Sequence, residues 1–280
     1  MQQGQFISFC LWALAGCHVG AALAQMPPAG SKTDPYPSSA WAGLHQQYLN
    51  GEPFVFDDRV QVTGPAFAED AMNVPLSIDA KALPDVTQMV VLVERNPIRK
   101  VLVYYPQAML PRVSFHFKLE QASAVRAAAK TRDGVWHVGS TWVEASGGGC
   151  TVAGGSRKDG SWSRTLGQVS GRVFEPAKRP RAQSLVPSLP DDDSRRLRLK
   201  VMHPMDTGLV NGIPAFYLNR LQVSSSQGEP LLRLELFEPV SENPVFSFDF
   251  PHPVPGALVL TGSDNNGNRM TGQIENGVRP

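Results

Sequence analysis

The chain has 280 residues, 42% of them hydrophobic, a length that supports one large or two ordinary globular domains. With 26 Lys and Arg against 25 Asp and Glu the formal net charge is +1, and the one basic stretch, over 157–181, falls where the chain reads as linker. Nucleic acid is therefore not expected as a partner.

The opening residues, MQQGQFISFCLWALAGCHVGAALAQ, hold an apolar run from Phe6 to Ala15 that is shorter than the roughly 20 residues of a membrane-spanning helix. The segment 1–24 reads as an export signal, with Ala22-Leu23-Ala24 before Gln25 as the cleavage site. A second route stays open: Leu14-Ala15-Gly16-Cys17 matches a lipobox, in which Cys17 would be lipidated and anchor the chain. Cleavage after Ala24 would remove Cys10 and Cys17 and leave Cys150 as the single sulfhydryl of a periplasmic protein.

From residue 36 the stretch YPSSAWAGLHQQYLNG offers Ser38 or Ser39 as N-cap, Trp41, Leu44 and Tyr48 at helical spacing, and Gly51 as a stop, which predicts one short helix. Period-two runs follow in NVPLSIDA, MVVLVE, KVLVYY and RVSFHFKLE, where Val113, Phe115, Phe117 and Leu119 share a face. Asp133-Gly134 then joins two further strands as a hairpin. The second of these runs into ASGGGCTVAGG, which sets Cys150 among Gly147, Gly148, Gly149, Gly154 and Gly155. Glycine forms poor strand and poor helix, so the pattern predicts a flexible arm carrying a thiol. Gly147 to Gly149 lie outside the expected core, and alanine there is expected to change stability little.

Gly, Ser, Pro and basic residues over 151–193 predict a linker, in which only GQVSGRVFEP suggests local order. Strands resume from 194 in RLRLKVMHP, PAFYLNRLQVSS, PLLRLELFEP, PVFSFDFP and GALVLTG, with Phe246, Phe248 and Phe250 alternating inward. The expected architecture is all-β: two immunoglobulin-like β-sandwich domains, 36–150 and 194–280, packed on each other and joined by the linker, with one short N-terminal helix.

The segment from NVPLSIDA through MVVLVERNP to VEASGGGC resembles SoxY, and HPMDTGLVNGIPAFYLNRLQV resembles SoxZ, the two subunits of a bacterial periplasmic sulfur-compound carrier. The likeness covers roughly Trp41 to Cys150 and Arg195 to Ile274, and the chain resembles fused SoxYZ-like carriers associated with quinoprotein dehydrogenases. The resemblance implies two immunoglobulin-like sandwiches and a carrier cysteine, at Cys150, to which a sulfur-containing intermediate is attached and presented to partner enzymes. It implies no enzyme activity and no cofactor. The partners it implies are periplasmic sulfur-oxidising enzymes or cytochromes, or a quinoprotein dehydrogenase on which the chain docks without cargo. In the family the motif reads Gly-Gly-Cys-Gly-Gly and ends the chain, whereas Thr151 and Val152 follow Cys150 here and tether the arm at both ends.

A thiol carries cargo through its nucleophilic thiolate, and Arg157 and Lys158 would lower its pKa if the arm folded back. A mobile thiol in an oxidising compartment also permits a Cys150-linked homodimer. His45, His116, His137, His203 and His252 lack metal-site spacing, and Asp191-Asp192-Asp193 lacks the other ligands of a calcium loop, so no metal is expected.

Overall fold

Alternating strands sort their side chains between a buried face and an open one, and in the computed structural model they do so across two sheets. The structure describes residues 1, 33–175, 194–251 and 256–275. Apart from Met1, the segment 1–24 expected to be an export signal, with Cys10 and Cys17, lies outside the described residues, as do the run Asp191 to Asp193 and His252.

In chain order the elements are α1 (Ala40–Tyr48), β1 (Phe54–Phe56), β2 (Gln61–Thr63), β3 (Phe67–Ala68), β4 (Val74–Asp79), β5 (Val86–Val93), β6 (Lys100–Tyr105), β7 (Arg112–Phe117), β8 (Ser123–Thr131) and β9 (Trp136–Ala145). Then come α2 (Gly155–Asp159), α3 (Trp162–Thr165), β10 (Val169–Phe174), β11 (Arg195–Val201), β12 (Leu218–Ser225), β13 (Pro230–Leu236), β14 (Val245–Phe250), β15 (Leu258–Asp264) and β16 (Arg269–Ile274). One sheet runs β1-β9-β8-β5-β6-β13-β12-β15-β16, with β3 beside β9, and the other runs β10-β11-β14-β7-β4-β2. The fold is all-β, as the period-two runs predict.

The predicted helix is α1. Its Trp41 and Leu44 are buried, and it packs with Phe54, Phe56, Val90, Leu92 and Trp136 on the outer face of the larger sheet. It ends where Asn50 and Gly51 take positive φ, 56° and 65°.

The two immunoglobulin-like halves join edge to edge, so that their sheets run on from one into the other. Strand β6 pairs antiparallel with β13, Tyr104 opposite Leu234 and Leu102 opposite Leu236, and β7 pairs with β14, Val113 opposite Phe248. Both sheets therefore cross the junction, and a single core runs through both halves, with the Tyr104 ring 5.5 Å from that of Phe248. The physical reason is that an open edge strand leaves a row of unpaired N–H and C=O groups, and here each half covers the other's edges.

The stretch 151–193, predicted as linker, carries α2, α3 and β10 in its first part. Strand β10 pairs with β11 over six residues, from Val169 opposite Val201 to Phe174 opposite Arg196. Gly171 on the inward phase and Phe174 on the exposed one weaken the hydrophobic alternation, but an edge strand exposed on one face needs few inward apolar groups, and Val169 and Val173 supply them.

Candidate functional site

Strand β9 ends at Ala145 and the chain turns at Gly147 and Gly148, whose φ values of 103° and 86° only glycine adopts without strain. The turn does not launch a free arm. It lays Cys150 against the end of β7, with its side chain fully buried. The Cys150 N–H donates to Glu120 Oε2 at 2.8 Å, and the Thr151 hydroxyl donates to Glu120 Oε1 at 3.0 Å. The sulfur faces the Lys118 carbonyl oxygen at 3.8 Å, and the Cys150 carbonyl accepts from the Thr207 hydroxyl at 2.6 Å. Thr207 lies 57 positions further on, so the seat is built from both halves of the chain.

Gly149 is packed as closely. A Cβ there would lie 2.2 Å from the Ala71 carbonyl oxygen and 2.5 Å from that of Leu119. At Gly154 it would lie 2.3 Å from a carboxylate oxygen of Glu242, whose other oxygen accepts from the Ser156 N–H at 2.8 Å. The downstream side is held as well. Arg157 Nε donates to Asp206 Oδ2 at 2.6 Å while the guanidinium lies 3.9 Å over the Trp162 ring. Thr151 and Val152, between these anchors, are exposed.

Lys118, also buried, donates from its ammonium to the Met205 carbonyl. Burial pulls its pKa down to about 8, against the pull of the surrounding thiol and carboxylates. Burial pushes the Cys150 thiol up to about 12, with the Glu120 carboxylate adding to the rise and Lys118 opposing it. His203 sits beneath the Phe216 ring at 4.5 Å, accepts the Met205 N–H at Nδ1, and is held near 4, chiefly by burial.

The chain also matches known families in two blocks. Residues 45–150 match the sulfur oxidation protein SoxY, and residues 187–275 match the sulphur oxidation protein SoxZ. The chain is a fused SoxYZ-like protein. No curated protein matches it. Among solved structures it is similar to the sulfur carrier protein SoxY from Chlorobium limicola f thiosulfatophilum, at 17% identity and a TM-score of 0.35, over 39% of this chain and 99% of that one. A beta-glycosidase from Bacteroides vulgatus aligns at 10% identity and a TM-score of 0.23, over 80% of this chain and 24% of that one.

In this SoxYZ-like chain the SoxY-like half contributes Lys118, Glu120 and Cys150, and the SoxZ-like half contributes Met205, Asp206 and Thr207. The sequence reading singles out Cys150 and its glycines, and the structure brings them together as a packed turn rather than a loose thread. Arg157 does fold back, but onto Asp206 and Trp162, and the thiol's pKa is raised rather than lowered. Lys158 is exposed. His45 bonds the Glu52 carbonyl, and His137 bonds Asp57. Among the described residues no His, Cys, Asp and Glu group is arranged to hold a metal.

Lys118 and Glu120 escape the sequence reading because in RVSFHFKLE they fall on the polar phase of the alternation, which is the solvent side of a lone sheet.

The seated thiol has a testable pH signature. A free thiol ionises near 8.5, and its alkylation rate levels off above that. The seated thiol keeps its proton up to about 12, so above about 8.5 the open arm releases a proton that the seated arm retains, and each pH step favours opening. The rate of Cys150 alkylation is expected to be slow at neutral pH and to keep rising about tenfold per pH unit beyond pH ~9. A plateau near the ordinary thiol pKa would show that the sulfur is already outside.

Proposed function

We propose that this protein is a non-catalytic carrier that binds a sulfur-containing intermediate covalently on Cys150 and presents it to partner enzymes, and that the seated thiol is its unloaded, closed state. The observation that carries this reading is the placement of the thiol: it lies in the turn that leaves β9, follows two left-handed glycines that can act as a hinge, and is held by polar contacts from the SoxY-like and SoxZ-like halves together. Such contacts exchange readily for water when the arm opens. The match to SoxY and SoxZ, and the likeness to a SoxY described as a sulfur carrier, support the same reading.

The chemistry assigns work to the partners. Joining the Cys150 thiol to a sulfhydryl-bearing sulfur species forms one S–S bond and releases two protons and two electrons, so loading needs an electron acceptor such as a cytochrome in a partner. Release by hydrolysis or exchange needs an activating group that the closed site lacks. The sequence of segment 1–24, which reads as an export signal, supports a periplasmic setting for these exchanges, with the chain either free or anchored through Cys17. A Cys150-linked homodimer would require two open arms.

Mass spectrometry of the protein purified from its native host without reductant is expected to show adducts on the Cys150 peptide. A bare thiol under every growth condition would overturn the carrier. The full burial of Cys150 favours a second reading, in which the chain docks on a quinoprotein dehydrogenase system and carries nothing. Complementation of a deletion strain by the Cys150→Ala chain separates the two: restoration means docking, and failure with normal protein levels means cargo.

A further inference from the structure

The face of the smaller sheet that points away from the core carries a charge pattern that folding does not require. In β11 the residues Leu197, Leu199 and Val201 are buried, while Arg196, Arg198 and Lys200 point outward. Register places Arg172 of β10 directly opposite Arg198, and Arg198 opposite Ser247 of β14. The row continues with Ser114 opposite Ser247 and Ser77 opposite Ser114. Like charges directly opposite on neighbouring strands destabilise a sheet. Neighbouring cations are neutralised, Arg196 by both oxygens of Asp249 and Arg195 by Glu175. Among the described residues no carboxylate lies within ion-pair distance of Arg172, Arg198 or Lys200. The remaining acids of this face are occupied: Asp249 also takes Arg112, and Asp79 sits between Lys81 and Arg112.

We propose that the outer face of β10, β11 and β14 is a docking surface for a protein partner that presents a cluster of carboxylates. Two shallow concavities flank Arg198, each large enough for a single side chain. One, of about 320 Å³, is walled by Pro65, Pro75 and Val245 as well as by Ser114, His116 and Ser247, and the other, of about 400 Å³, by Ser170, Arg172, Lys200 and Val245. Cations and hydroxyls beside hollows with partly apolar walls, which can cover the methylenes of an Asp or Glu side chain, suit individual carboxylates better than the flat charge of an anionic lipid surface. His116 lies within the same field: burial and then Arg198 lower its pKa, which leaves the ring neutral and the face governed by the three cations.

The face adjoins the thiol's seat through two strands. His116 on β7 is two residues from Lys118, and Lys200 on β11 leads through Met202 and His203 to Met205 and Thr207. A protein docked here lies beside Cys150. That its occupant is an enzyme meeting the open arm rests on the carrier reading, whereas the charge surface itself does not.

The test uses the full chain and a fluorescent octaglutamate peptide as probe. Binding followed by anisotropy is expected to weaken steeply as salt is raised from low to physiological levels. It should fall about tenfold or more in the R172Q/R198Q/K200Q variant, each lost pair contributing the modest energy of an exposed ion pair. A control with the same net charge, R132Q/R220Q/R269Q, removes exposed cations outside the smaller sheet and should bind as the wild type does. Peptide-dependent protection from hydrogen exchange should map to β10, β11 and β14. If the triple variant unfolds, R198Q alone, checked by thermal melting, gives the same comparison with a smaller loss. Unchanged binding in a folded variant, equal loss in the control, or binding to phosphatidylglycerol vesicles without affinity for the peptide would overturn the proposal. Cys150→Ala should bind the peptide normally, so absent adducts with intact peptide binding would sink the carrier and leave this surface standing.

Discussion

Replacing Gly149 by alanine is expected to speed alkylation of Cys150 at neutral pH by about one to two orders of magnitude. The new Cβ would meet the Ala71 carbonyl oxygen at 2.2 Å and the Leu119 nitrogen at 2.6 Å, and these two atoms are hydrogen-bonded to each other at 2.8 Å. Both belong to the backbone, so no side chain can swing aside. Either that hydrogen bond breaks or the arm leaves its seat. Overpacking of this kind costs about 1–3 kcal/mol, and about 1.4 kcal/mol shifts an opening equilibrium tenfold. Because opening relieves the clash, the thermal midpoint should fall less than the alkylation rate implies. Mass-resolved iodoacetamide kinetics beside a melting curve reads both quantities, and wild-type kinetics in the variant would contradict the packed turn. The expectation that alanine at Gly147 to Gly149 leaves stability untouched is thereby corrected: two of these glycines hold left-handed φ and the third has no room for a methyl group.

Cutting the backbone between residues 175 and 194 is expected to leave the two halves bound to each other, eluting together and melting in one transition. The β6–β13, β7–β14 and β10–β11 ladders join them through main-chain hydrogen bonds, and Tyr104, Phe248 and Leu234 are buried where the halves meet. Either half made alone would leave three strands without their ladder partners from the other half and open that apolar surface to water, and should be insoluble or aggregate. Size-exclusion chromatography of the nicked chain and solubility of the separate halves check this. Two stable, monomeric halves would refute the shared core.

The alternating segments were legible because burial imposes a period of two. Phe115 and Phe117 in one half, and Phe246 and Phe248 in the other, lie where their spacing puts them, and Trp41 and Leu44 mark α1 in the same way. The edge pairing was not legible, since which strand completes another's edge depends on partners more than a hundred residues apart, such as Tyr104 and Leu234. Strand β10 showed only as a trace of local order in GQVSGRVFEP, because Gly171 interrupts its inward phase and leaves just Val169 and Val173 there. Cys150 was conspicuous by composition, but its seat depends on Glu120 and Thr207, which the sequence scatters and only the fold assembles. A glycine-rich stretch reads identically whether its glycines give freedom or allow close approach. The distinction lies in the neighbouring backbone of Ala71 and Leu119.

Anchors on both sides of Cys150 also limit what shape of active site it can serve. Between Ala145, where β9 ends, and Gly155, where α2 begins, the thiol stands near the middle of the free span, so an outward excursion uses only about half of it. At about 3.3–3.6 Å per residue the sulfur can project about 1.5 nm, and the chain must enter and return, so two strands of backbone occupy the passage. A free chain end can slip into a narrow tunnel; this doubled loop cannot. An enzyme that receives it needs an open trench about two backbones wide, with its reactive centre no deeper than a nanometre and a half from the rim, unless Arg157 lets go of Asp206 and pays out α2 as extra length.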